Sequence, residues 1–172
     1  MNLILMLLLI LVLLIATITD IRFQKIPNLL TYPVVLLALI CHTVISGSEG
    51  LLFSAEGLGL GIAIWLLPYL VGKMGAGDTK LMGAIGALVG PREVLVASIF
   101  TAIVGGIYAL VLLTLRGYLK ETVKRWGVMF KGALLTRKLD YAPPPDRTNA
   151  PKLCYGVAIA VGTLLSLARG FI

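Results

Sequence analysis

Long apolar runs alternate with short polar stretches along the whole chain. A helix needs about 20 apolar residues to cross a bilayer, and we interpret six of the runs as spans. They lie at residues 2–19, 29–45, 57–71, 79–90, 94–115 and 153–168. The pattern therefore predicts an all-α fold: a polytopic membrane protein with six transmembrane helices, forming a single domain over residues 1–172.

The composition supports a membrane protein. Of the 172 residues, 59% are hydrophobic and 13% are charged, whereas soluble domains carry about 25% charged residues. In a membrane protein, the positions of Lys and Arg indicate the orientation of the chain in the membrane rather than binding of nucleic acid. The net charge of +7 therefore does not indicate a nucleic-acid partner, and we predict only the lipid bilayer as its surroundings.

The basic residues are distributed unevenly between the predicted loops. Thirteen of the 15 lie in or at the edge of the loops between spans one and two, three and four, and five and six, and only Arg92 and Arg169 lie on the other side. The positive-inside rule places the thirteen in the cytoplasm. We therefore expect a multi-pass protein of the cytoplasmic (inner) membrane with both termini outside the cytoplasm.

The longest predicted loop, residues 116–152, is cytoplasmic and basic. Its first part, residues 116–138, has apolar residues at helical spacing, which predicts an amphipathic helix on an anionic membrane surface. An equally good interpretation is that the basic residues of this loop are solvated and only fix the orientation of the protein in the membrane. Residues 139–151 include three consecutive prolines and predict an extended linker. The function of this loop is left open.

Two aspartates are the candidate catalytic residues. Asp20 ends the first apolar run, and Asp78 lies in Gly75-Ala76-Gly77-Asp78-Thr79-Lys80, at the start of the fourth. Taken singly, Asp20 could mark where a span meets water, and Asp78 could cap a helix. The predicted orientation, however, brings both carboxylates to the same cytoplasmic level. Paired carboxylates that share a proton can activate water for peptide hydrolysis.

No cofactor is predicted. Gly72-Lys73 lacks the Ser or Thr that follows the lysine of a phosphate-binding loop. The single histidine, His42, and the two cysteines, Cys41 and Cys154, have no metal-ligand spacing, so we expect packed side chains there. Two carboxylates and water suffice for peptide hydrolysis without metal, nucleotide or organic cofactor.

The residues around the two aspartates resemble a known family. Asp20-Ile21-Arg22 leads to Ile26-Pro27-Asn28, and Gly75 to Leu81 follows downstream. This combination, with the six-span layout, is similar to the type IV prepilin peptidases, which are intramembrane aspartyl proteases of the GxGD class. Tyr155-Gly156 also resembles a family element often written Pro-Tyr-Gly, although Cys154 stands in place of the proline.

The resemblance implies that Asp20 and Asp78 are the catalytic pair. It also implies that the motif residues around them, Gly75, Gly77, Lys80, Pro27 and Asn28, support the site. The expected partner is a prepilin, or prepilin-like, membrane substrate, which is cut at the cytoplasmic membrane face just before its hydrophobic helix. Larger family members add a domain with CxxC pairs and methylate the new N-terminus. This chain is similar to the short, peptidase-only form of Flp (Tad) pilus systems.

Archaeal preflagellins are an alternative substrate class that the sequence leaves open, and the oligomeric state is not predicted. A small proton-coupled carrier or channel that uses the two aspartates as a relay is the main alternative function. Such a protein should have ionisable groups at the midplane, whereas Asp20 and Asp78 lie at predicted span ends. A non-catalytic assembly subunit would leave both aspartates replaceable.

The helix dipole predicts a difference between the two aspartates. Asp20 lies at the negative, C-terminal end of span one, whereas Asp78 lies near the positive, N-terminal end of span four. We therefore expect Asp20 to hold the shared proton and act as general acid. Asp78 would then be ionised and polarise the attacking water.

Overall fold

The computed structural model describes residues 2–71, 74–115, 117 and 154–169. The described residues form helices and no strand, which confirms the predicted all-α class. The predicted amphipathic helix and linker within 116–152 lie outside the described residues, apart from Gly117. The helices are α1 (Leu3–Phe23), α2 (Asn28–Leu70), α3 (Ala76–Val89), α4 (Pro91–Leu115) and α5 (Tyr155–Arg169).

The long helix α2 is a hairpin of two arms. Its backbone leaves helical geometry at Ser46 and Gly47, where Gly47 has a φ of 62°, a conformation that glycine adopts without strain. A Cβ on Gly50 would collide with the carbonyl oxygen of His42, so the arms meet closely at this break. The sequence predicted a loop over residues 46–56. The predicted loop was too long, because the chain resumes helical geometry directly after Gly47.

The short helix α3 lies between the two arms of α2. Its start contacts the start of the first arm, because the side chain of Lys80 reaches Asn28, and its end lies against His42. The second arm runs in the opposite direction. Gly57 and Gly61 lie against the backbone carbonyls of Gly86 and Met82, so close that a Cβ on either glycine would collide. Every residue from Leu81 to Gly90 is buried, so this part of α3 lies in the interior of the protein. Small residues allow such backbone approach in a membrane.

The last helix, α5, packs against α1 and the first part of α4. A Cβ on Gly162 would lie 2.5 Å from the backbone nitrogen of Thr101 on α4. The hydroxyl of Ser166 donates to Glu93 Oε2 at 3.4 Å. The residues up to Gly105 and from Cys154 belong to one compact unit. A second unit begins at Gly106, and of it the structure describes the end of α4 and Gly117.

Among the residues that the structure describes, three helices are long and apolar enough to cross a membrane, namely α1, α2 and α4. Large apolar side chains also cover the outside of α1, where Leu3, Leu7, Leu14 and Ile18 are more than half exposed. These are features of a membrane protein. Helices α3, with 14 residues, and α5, with 15, are shorter than an ordinary span. The six predicted crossings are therefore not all represented by span-length helices.

Candidate active site

Asp20 and Asp78 are the buried acids of this structure. Their side chains are only 6% and 9% exposed, and among the residues that the structure describes no other acidic side chain is buried. A buried carboxylate is unfavourable unless it is hydrogen-bonded or neutralised. Residues of this kind in an apolar helical protein are candidates for a functional site.

Asp20 is held by a residue from the far end of the chain. It lies in the last turn of α1, which ends at Gln24 in a left-handed conformation. Its Oδ2 accepts a hydrogen bond of 2.7 Å from the backbone N–H of Gly156, at the start of α5. Gly156 is buried, and a Cβ there would lie 2.9 Å from both Cβ and Oδ2 of Asp20. Only a glycine fits this position without a shift in the aspartate.

Asp78 is held by its own motif. It is the third residue of α3, and its Oδ2 accepts a hydrogen bond of 3.2 Å from the backbone N–H of Gly75. This bond satisfies an amide at the helix start that has no partner within the helix. Asp78 and Asp20 belong to different helices. Each carboxyl thus has Oδ2 fixed by a glycine amide.

The two motif segments are in direct contact. Gly77 lies against Ile26, because a Cβ on Gly77 would be 3.1 Å from Ile26 Cβ and 3.3 Å from the Ile26 backbone. Beside this contact, Lys80 Nζ donates to Asn28 Oδ1 at 2.8 Å. Pro27, between them, is the N-cap residue of α2 in extended geometry. The loop after Asp20 and the helix that carries Asp78 are therefore joined at two points.

The ring of Tyr32 also contacts the motif lysine. Lys80 Nζ lies 5.2 Å from the centroid of this ring, within the range of a cation–π interaction. On the other side of α3, Thr79 Oγ1 donates to the carbonyl oxygen of Trp65 at 3.3 Å, and Trp65 Nε1 donates to Ser98 Oγ at 3.0 Å. These bonds anchor the residues that follow Asp78 to the second arm of α2 and to α4.

Gly156 is the residue that sequence reasoning left without a role. The signal was present in Tyr155-Gly156, but Cys154 in place of the proline made that element incomplete.

The prediction that the helix dipole keeps the proton on Asp20 also loses its basis. Asp20 does lie at the C-terminal end of α1, but its carboxyl faces the N-terminal end of α5. Both aspartates therefore accept an amide at a helix start, and the predicted difference between them does not follow.

In the described part of the chain, no cluster of three or more His, Cys, Asp or Glu side chains is arranged to hold a metal. His42 is a packed polar residue, as predicted. Its Nε2 donates to the carbonyl oxygen of Leu88 at 3.1 Å, and its ring lies against Phe53. Cys41 and Cys154 are unpaired and half-buried.

Comparison with known proteins identifies the family. The family model described as type IV leader peptidase family matches residues 7–110, which is more than half of the chain. The chain belongs to the type IV leader peptidase family. The matched segment contains both aspartates and both motif segments, whereas Gly156 lies outside it.

The chain is also similar to a curated protein. This relative is a prepilin leader peptidase/N-methyltransferase of Xanthomonas campestris pv. campestris, 29% identical over 133 residues. The aligned region covers 66% of this chain and 45% of the relative, so the chain spans about half the length of the protein it matches. No solved structure matches the chain.

Proposed function

We propose that this protein is an intramembrane aspartyl endopeptidase that removes the leader peptide of type IV prepilins. Asp20 and Asp78 are its catalytic residues. The observation that carries the proposal is the arrangement of these two buried carboxyls. They come from different helices whose motif segments are in contact, and each has Oδ2 bound to a glycine amide. This leaves Oδ1 of each carboxyl for substrate and water.

The reaction needs one proton on the pair. The ionised carboxyl removes a proton from a water molecule, whose oxygen attacks the carbonyl carbon of the scissile peptide. The protonated carboxyl gives its proton to the carbonyl oxygen, which forms a neutral gem-diol. The C–N bond then breaks. The carboxyl that took the proton from water gives it to the amine nitrogen, and a hydroxyl of the gem-diol gives its proton to the other carboxylate, so that a carboxylic acid forms on the leader. Water is consumed, and the pair returns with one proton.

We propose that the glycine amides keep the two carboxyls in position for this reaction. A hydrogen bond to one oxygen limits rotation of the carboxyl about its Cβ–Cγ bond, so the other oxygen keeps its direction. Gly156 does this for Asp20 and Gly75 for Asp78. The contacts of Gly77 with Ile26, and of Lys80 with Asn28, support the pair by joining the helices that carry it. Pro27 supports it by ending the loop that follows Asp20.

The proposed membrane arrangement has six crossings with the site at the cytoplasmic face. The two arms of α2 would each form one of these crossings. At 43 residues, α2 would be about 65 Å long if straight, about twice the thickness of the hydrocarbon core. The shorter α3 is buried between the arms of α2, and both α3 and α5 supply the site from their N-terminal ends. The excess of Lys and Arg in the loops on this side supports the cytoplasmic orientation, with both termini outside.

Within the prepilins, we propose Flp-like substrates, because the chain resembles the short, peptidase-only form of Flp (Tad) pilus systems. The sequence has two cysteines and no CxxC pair, unlike the larger members, and only four residues separate α1 from α2. The aspartate pair provides for hydrolysis alone, and we assign no methyl transfer. The position of the pair at helix ends also favours a peptidase over a proton-coupled carrier, whose relay groups would lie at mid-membrane depth.

The direct test is cleavage by the purified, full-length protein. It is reconstituted in liposomes with a candidate Flp prepilin, and the products are measured by mass spectrometry. We expect two products whose masses place the cut just before the hydrophobic helix. An uncut prepilin in the presence of folded protein, for every type IV prepilin offered, would remove the peptidase proposal.

A further inference from the structure

A cavity opens at the end of α1, where α1 meets the loop to α2. Its volume is about 470 Å³, within the range of small-molecule and side-chain binding sites, about 300–1,000 Å³. It is formed by consecutive parts of the chain rather than by distant helices. The lining residues are Thr19, Phe23, Lys25, Ile26, Pro27 and Asn28.

The cavity adjoins the groups that hold the aspartate pair. Thr19 directly precedes Asp20 in α1. Ile26 packs against Gly77, the residue before Asp78. Asn28 accepts the hydrogen bond of Lys80. A peptide whose scissile bond lies at the two carboxyls therefore has this cavity within reach of the residues next to the cut.

The chemistry of the lining selects one side of the cut. Phe23, Ile26 and Pro27 form apolar walls, and Lys25 is the charged residue among them. Phe23 is 69% exposed although it is a large aromatic residue at the polar end of α1. A segment that flanks a membrane helix on the cytoplasmic side is enriched in Lys and Arg, so Lys25 repels it. The apolar segment of the substrate, which follows the cut, carries no such charges and is not repelled by Lys25.

We infer that this cavity is the subsite for the first apolar side chain on the C-terminal side of the scissile bond. Phe23 and Ile26 are then specificity-determining residues. The inference rests on the proposed peptidase function and adds the location and chemistry of substrate recognition. The burial of a substrate side chain against Phe23 removes apolar surface from water, and this favours binding in proportion to the area buried.

Kinetics with substrate variants test the subsite. The residue after the cut in a prepilin that the wild type cleaves is set to Phe, Leu, Ala or Ser. Phe23→Ala should raise KM about tenfold for the Phe and Leu substrates and change it little for Ala and Ser, with kcat retained. The matched control is Leu3→Ala, because Leu3 is on the same helix and 67% exposed. An equal change in KM for all four substrates would contradict the assignment.

Photo-crosslinking gives a readout that does not need cleavage. Benzoylphenylalanine replaces Phe23 in the Asp78→Asn variant, and the same substitution is made at Leu3 as a control. With the Phe substrate, we expect a crosslink from position 23 to the first residues after the cut and none from position 3. A crosslink to the leader, or to lipid alone, would overturn the subsite while cleavage by the wild type leaves the peptidase function intact. Failure of the wild type to cleave overturns both.

Discussion

The backbone N–H of Gly156 donates to Asp20 Oδ2 at 2.7 Å, although the two residues are 136 positions apart in the sequence. The contact is so close that Gly156 has no room for a side chain. It makes α5 a third component of the site, besides the two helices that carry the aspartates. The position of the Asp20 carboxyl thus depends on how α5 packs against α1.

Gly156→Ala should reduce catalysis more than stability. The new Cβ would lie 2.9 Å from Asp20 Oδ2, so the aspartate or α5 must move. A displacement of about 1 Å from a catalytic geometry is able to reduce the rate about a hundredfold, and we expect a loss in kcat of about tenfold to a hundredfold. Steady-state cleavage of prepilin by the purified variant measures this.

The control for Gly156→Ala is Gly59→Ala. Gly59 is also helical, but a Cβ there meets no atom within 4 Å, so this variant should cleave like the wild type. Full activity of Gly156→Ala would show that Asp20 does not depend on this amide.

The sequence allowed the prediction of the helical class and of the two aspartates, because a carboxylate at the edge of an apolar run is visible locally. Gly156 was not recognisable in the same way, since no spacing rule relates residues at opposite ends of a chain. The turn in α2 was misjudged for a different reason. Ser46, Ser48 and Glu49 are polar and exposed, but the backbone leaves helical geometry only at Ser46 and Gly47. Polarity therefore suggested a longer loop than the backbone needs.

Gly57→Ala should destabilise the protein without a direct effect on the site. A Cβ on Gly57 would collide with the carbonyl oxygen of Gly86, so the second arm of α2 would have to move away from α3. Overpacking of this kind typically costs about 1–3 kcal/mol. We expect a lower midpoint of thermal unfolding in detergent. Gly59→Ala, on the same arm, should match or slightly exceed the wild type because alanine favours helix. An equal midpoint for both variants would contradict the close contact.

Lys80 and Asn28 should act as one unit. Lys80→Met and Asn28→Ala each remove the same hydrogen bond, so the double variant should lose little more activity than either single variant. Because the bond is exposed, the effect of either change on the unfolding midpoint should be small. A double-mutant cycle on kcat/KM measures the coupling. Additive losses would show that the two residues act separately.

The proposed mechanism also predicts a bell-shaped dependence of kcat/KM on pH. At low pH both carboxyls are protonated and the general base is lost, whereas at high pH both are ionised and the general acid is lost. The two limbs belong to the pair rather than to either residue. A rate that is constant across the range in which the protein stays folded would be incompatible with a shared proton.

Asp20→Asn and Asp78→Asn, assayed for prepilin cleavage by mass spectrometry, test the central claim most directly. Glu49→Gln serves as the matched control, because Glu49 is an exposed acid just after the break in α2 at Gly47. Asp140→Asn is a second control, and Asp140 lies outside the described residues. Each aspartate variant should fold and bind substrate but release no leader peptide, while both controls cleave like the wild type. Cleavage at the wild-type rate by either Asp20→Asn or Asp78→Asn would contradict the assignment of these two residues as the catalytic pair.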